Sequence, residues 1–129
     1  MDFRIRYGIL IAWLGAAAAG AEAQQADSLP PGVSTDMVVR GKAVFLGAGL
    51  CIACHGPEAT GGIGPDLTDS VWLHGDGGFD SLVKVITDGV SLEVSQTGQL
   101  MPPRGGSAIR DDDVRAVAAY VWTLRKRQS

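Results

Sequence analysis

The sequence predicts an all-α chain of three to four helices, and three observations carry that prediction. Apolar residues recur at helical spacing in three separate stretches, near residues 35–48, 79–88 and 111–124. Each stretch is bounded by residues that start or stop a helix. No alternating apolar and polar run of strand length appears, and there is no internal repeat.

The elements follow in chain order. Residues 1–23, MDFRIRYGILIAWLGAAAAGAEA, have the layout of a secretory signal peptide: Arg4 and Arg6, then an apolar run over 8–21, then a small-x-small ending at Ala21-Glu22-Ala23. Cleavage is expected after Ala23, the alternative being an uncleaved N-terminal anchor; the run falls short of the ~20 residues that span a bilayer. Residues 24–34, polar with two prolines and a glycine, read as a flexible lead-in. One domain is then expected over 35–127.

Its first helix starts at a Ser34 or Thr35 cap, with Asp36 in the first turn and Val38, Gly41, Val44, Phe45 and Ala48 on one face. Residues 56–70, rich in Gly and Pro, predict an ordered loop. A second helix fits 79–88, with Gly89 as a left-handed terminator. In the last helix, Val114, Val117, Ala118, Val121 and Leu124 form the apolar stripe with Tyr120 beside it. Asp111, Asp112 and Asp113 complement its positive end, and Arg125, Lys126 and Arg127 its negative end, all expected in solvent.

The formal net charge is −3, and it stays there if residues 1–23 are removed, because that segment holds Asp2, Glu22, Arg4 and Arg6. No basic stripe exists to follow a phosphate backbone, so nucleic-acid binding is not expected. Export would place the chain in an oxidising compartment, where a free cysteine pair ordinarily becomes a disulfide.

The only two cysteines stand in Cys51-Ile52-Ala53-Cys54-His55. Zinc would need four ligands, and beyond this stretch His74 is the one further soft donor. A thioredoxin-like pair needs a βαβ setting that is absent, and a plain disulfide leaves His55 without a reason. Covalent haem attachment uses all three residues: two thioethers from one helical turn, and an imidazole from the next position. A small domain also gains from a large apolar plate in its core, where cofactor binding contributes to folding.

With His55 as one axial ligand, the other is sought among Met37, His74 and Met101. Met37 precedes Cys51 on the first helix and is read as a packing residue. His74 lies among turn residues and reads as an exposed loop histidine. Met101 is followed by Pro102-Pro103, which stiffen the backbone behind a flexible thioether, and it is the expected ligand. Imidazole and thioether together close the iron to substrate and suit one-electron exchange. The Nδ1 hydrogen of His55 is expected on the Pro65 carbonyl. Trp72 either walls the haem and donates to a propionate or is a plain core tryptophan. Arg104 either pairs with a propionate or is a solvated loop arginine.

With these residues in view the chain resembles the class I c-type cytochromes. Its Gly41…Phe45 pattern, CxxCH, Gly64-Pro65-Asp66-Leu67, Met101-Pro102 and Tyr120 match that family's motifs. GPDLTDSVWLHGDGG, MPPRGG and AAYVWTL are similar to the C-terminal haem domain of the dihaem subunit of cbb-type cytochrome oxidases. The resemblance implies the cytochrome c fold around one haem c, with N- and C-terminal helices crossing and the Pro65 carbonyl on His55. It departs from the pattern in having one CxxCH instead of two and only three lysines, Lys42, Lys84 and Lys126.

The expected function is a soluble, monomeric periplasmic carrier of single electrons, not an enzyme and not inserted in the membrane once the signal is removed. It would take electrons from a dehydrogenase or quinol-oxidising complex and pass them to an oxidase or reductase. The alternatives are a haem subunit held as the electron exit of a periplasmic dehydrogenase, and a haem enzyme or gas sensor with a labile sixth ligand.

Overall fold

A computed structural model of the chain describes residues 28–125. The signal peptide expected at 1–23, the first part of the lead-in, and Lys126 and Arg127 lie outside the described residues.

Four α-helices and one 3₁₀ turn make up the described chain: α1 (Thr35–Leu46), α2 (Ile52–His55), α3 (Phe79–Asp88), a 3₁₀ turn (Pro103–Gly106) and α4 (Asp111–Leu124). The Ser34 hydroxyl caps α1 by accepting from Met37 N at 3.2 Å, one of the four amides that a helix start leaves unpaired. Helix α3 has the expected bounds. Gly89 ends it with φ 70° but ψ −168°, so the chain leaves extended rather than in the left-handed helical conformation expected. The lead-in also differs from expectation: Leu29 and Val33 pack against the core, and Val33 N donates to Pro30 O at 3.0 Å.

Helices α1 and α4 cross, as the resemblance implies. Gly41 makes the crossing close, since a Cβ there would stand 1.8 Å from Ala116 O. One turn on, Phe45 meets Tyr120 edge to face with ring centroids 5.4 Å apart, the arrangement aromatic quadrupoles favour. Both rings are buried, with Val114, Val117 and Leu124 beside them. Helix α3 packs on α4 through Phe79, Leu82 and Ile86. Helix α4 thus lies between two neighbours, and nine of its residues are buried.

The charged ends of α4 are not simply solvated. Asp113 takes the Arg40 guanidinium of α1 at 2.7 Å, and Asp111 takes Arg104 at 2.6 Å. Arg125 donates to Gly77 O at 2.8 Å and lies over the Trp122 ring. The charges therefore pin α4 to three other parts of the chain as well as complementing its dipole. Among the described residues every buried side-chain polar atom has a partner, and no helix is long and apolar enough to cross a membrane.

Candidate functional site

One predominantly apolar cavity lies between the α2 turn, the loops on either side of α3, and α4. Cys51, Cys54, His55 and Met101 all line it. Leu82, Val85 and Ile86 of α3 and Val117 and Val121 of α4 complete its apolar walls.

The α2 turn owes its place to the residues before it. Gly49 N donates to Val44 O at 2.8 Å, and Leu50 takes the left-handed conformation with φ 57°, which turns the chain into Cys51. Both cysteines are free thiols. Burial pushes the Cys51 thiol up to about 11, with nearby Cys54 adding to the rise, so Cys51 is protonated at neutral pH rather than tuned as a thiolate.

His55 is buried at the end of the turn, and its Nδ1 lies 2.9 Å from Pro65 O. A carbonyl only accepts, so Nδ1 carries the proton and Nε2 keeps its lone pair. Burial holds the His55 imidazolium below its ordinary value, the Pro65 carbonyl pulling the other way. The loop that delivers Pro65 folds back on α2: Gly61 N donates to His55 O at 2.9 Å and Gly64 N to Cys54 O at 2.8 Å. Gly64 leaves room for the imidazole, since a Cβ there would stand 2.9 Å from His55 Cε1. Past Pro65, Asp66 Oδ1 accepts from both Thr68 N and Thr68 Oγ1 at 2.7 Å, closing a turn that holds the loop.

Met101 approaches from another element. Its backbone forms a two-way antiparallel bridge with Val90, N to O at 2.8 and 3.0 Å. A single bridge leaves no periodic trace, so no sequence pattern announces it. The structure puts Trp72 in the wall of the same cavity, beneath Gly77, whose Cβ would stand 2.2 Å from the indole Nε1. His74 lies in that wall too, half-buried, rather than exposed in a loop. Met37 is partly buried against the core and does not reach the cavity.

Arg104 is the expected site residue that the structure does not bring to the cavity. Its guanidinium donates to Ile109 O at 2.9 Å and to Asp111 at 2.6 Å, so its fork is engaged at the start of α4. With φ 55° and ψ 29°, Arg104 ties a left-handed turn to the start of α4.

The donor set fits a covalently attached haem. Two free thiols stand three residues apart on one turn, an imidazole follows with one nitrogen left unprotonated, and a thioether lies on the same apolar cavity. Among the described residues Asp66 is the one charged side chain in that lining, as an apolar plate requires.

Comparison with known proteins agrees. Residues 36–121 match the family described as cytochrome C oxidase, cbb3-type, subunit III. The chain is 41% identical over 80 residues to the cbb3-type cytochrome c oxidase subunit CcoP of Rubrivivax gelatinosus, covering 61% of this chain and 24% of that protein. It is 32% identical over 133 residues to the FixP subunit of the cbb3-type oxidase of Sinorhizobium medicae, covering 98% of this chain and 45% of that protein. The chain thus spans less than half the length of these relatives. Among solved structures, cytochrome CL of Methylophaga aminisulfidivorans has a similar fold, with a TM-score of 0.52 at 23% identity over 69% of this chain and 53% of that one.

Proposed function

The chain belongs to the family of cytochrome c oxidase, cbb3-type, subunit III, and on that premise we propose that it is a soluble one-electron carrier in the periplasm, with His55 and Met101 as axial donors. As a cytochrome c domain it is an electron-transfer module with one covalent haem c. The observation that carries the finer reading is that Cys51, Cys54, His55 and Met101 line one cavity. When bound there, the haem supplies reversible exchange between Fe(II) and Fe(III).

The chain's own residues do the rest. Cys51 and Cys54 hold the group covalently, and His55 offers Nε2 while Pro65 fixes its tautomer. Met101 offers its sulfur from a backbone bridged to Val90. The walls from α3 and α4 exclude water, which keeps the surroundings the same in both charge states. Held by both His55 and Met101, the iron of a bound haem would be closed to substrate.

The electron donor is a dehydrogenase or a quinol-oxidising complex, and the acceptor an oxidase or reductase. The relatives are named as oxidase subunits, which favours a second reading, a haem subunit held permanently in a larger complex. Gel filtration of endogenous protein separates the two: elution near the monomer mass supports the carrier.

The ligand set is tested by the optical spectrum of haem-loaded protein. The weak red charge-transfer band of Met-ligated ferric haem should be present and should vanish in Met101→Ala. High-spin iron or bis-histidine ligation in the unaltered protein would refute Met101 and bring His74 or an open site forward.

A further inference from the structure

A thioether on a flexible, unbranched side chain stays at a metal only if the backbone beneath it is held. Met101 is held from two directions. On one side the chain leaves α3 through Gly89 and pairs Val90 with Met101. A Cβ at Gly89 would stand 2.3 Å from Met101 O, 2.7 Å from Pro103 N and 2.9 Å from the Pro102 carbonyl carbon. Met101 O is also the acceptor of the Val90 amide, so a methyl that moves it breaks the bridge at the same stroke.

On the other side of the loop stands Gly105, with φ 68° and a Cβ position 2.3 Å from Gly49 O. Gly49 lies two residues before Cys51, in the turn that aims the attachment site. At both glycines the obstructing atoms are backbone, which cannot swing aside as the end of a side chain does.

We propose that Gly89 and Gly105 are positioning residues for Met101. The missing side chains let the Met101 loop close between the end of α3 and the turn preceding Cys51, and this closure keeps the sulfur in the cavity. The inference rests on the reading of Met101 as an axial donor. Gly98 separates the effect of the loop contact from that of backbone strain: it too has a positive φ, 72°, but a Cβ there would meet nothing within 4 Å.

The test compares the full-length chain, matured with haem attachment, with Gly89→Ala, Gly105→Ala, Gly98→Ala and Met101→Ala. The Gly89 and Gly105 variants should keep covalent haem, read by haem staining after denaturing electrophoresis, and keep their helical circular dichroism. They should lose most of the red ferric band and bind imidazole about tenfold or more tightly, while Gly98→Ala behaves as the unaltered protein. If Met101→Ala keeps the band, the ligand reading fails and the inference fails with it. If Met101→Ala loses the band while the Gly89 and Gly105 variants keep it and bind imidazole no more tightly, the inference alone is overturned. If neither variant accumulates haem-stained protein while Gly98→Ala does, the two glycines serve folding in general, and the inference is again overturned.

Discussion

Replacing Gly41 by alanine sets two effects of opposite sign against each other. Helix propensity alone favours alanine in α1 by about 0.8–1 kcal/mol. The crossing opposes it, because the new methyl would stand 1.8 Å from Ala116 O, 2.4 Å from the Ala116 carbonyl carbon and 2.9 Å from Tyr120 Cβ. Carbon and carbonyl oxygen rest at about 3.3–3.6 Å, so α1 and α4 must part by about 1.5 Å. A gap of 0.5–1 Å forfeits roughly a quarter to a half of the dispersion attraction between facing atoms, and here those atoms include the buried Phe45–Tyr120 pair. Overpacking of this kind costs about 1–3 kcal/mol. Taking the upper end and subtracting the propensity gain leaves a net loss of about 2 kcal/mol, or a fall in Tm of roughly 8–16 °C for a domain of this size. Thermal unfolding of the haem-loaded protein, followed by circular dichroism, reads it. Gly47→Ala is the control, its Cβ meeting only Ala43 O at 3.3 Å. A Gly41→Ala protein that melts at or above the unaltered Tm would refute the steric reasoning, since propensity would then have won.

Two further outcomes concern charge. The Arg40 guanidinium, followed by the Arg110 backbone amide, holds the Asp113 carboxyl below its ordinary value of 3.8. A depressed acid stabilises the fold at pH above its unfolded pKa and loses that contribution as pH falls through the folded one. Arg40→Gln should therefore lower stability most near about pH 7, modestly because Arg40 is half exposed, and by a vanishing amount near about pH 2. Urea titrations at both pH values measure the gap, and a gap that widens on acidification is the contrary result. The second outcome concerns the loops around the cavity, 49–78 and 89–106, which carry Glu58, Asp66, Asp69, Asp76 and Glu93 against Arg104 alone, itself paired to Asp111. Electron exchange with a basic redox protein should slow as ionic strength rises, as stopped-flow mixing would show; a rate that rises with salt would place docking elsewhere.

The helices were legible because their signals are local. Ser34 before an apolar face, Gly89 after 79–88, and an acidic start to α4 each act within one or two turns. The contact between His55 and Pro65 was legible for a different reason, as part of a motif whose spacing is itself the constraint. What sequence did not reveal depends on partners far along the chain. Arg104 looked free for a ligand because nothing local announces that Ile109 O and Asp111 take its guanidinium. The Val90–Met101 bridge has a single rung and no period. Gly89 was readable as a helix stop, but its second role, close approach to the Met101 loop, needs the tertiary fold to be visible. The turn-rich surroundings of His74 point to solvent, whereas the loop turns it toward the cavity.

The crossing of α1 and α4 also orders events in time. Arg40 and Asp113 lie 73 residues apart in sequence, and the Gly41–Ala116 and Phe45–Tyr120 contacts beside them span a comparable stretch. The chain must close that long loop before the contacts repay the entropy, and α4 is the last of the described helices to be synthesised. A growing chain therefore has no partner for α1 until α4 has been made. Until then the cavity beside Cys51 and Cys54 also lacks the wall that Val117 and Val121 of α4 give it, and the same crossing that seats α1 closes that side.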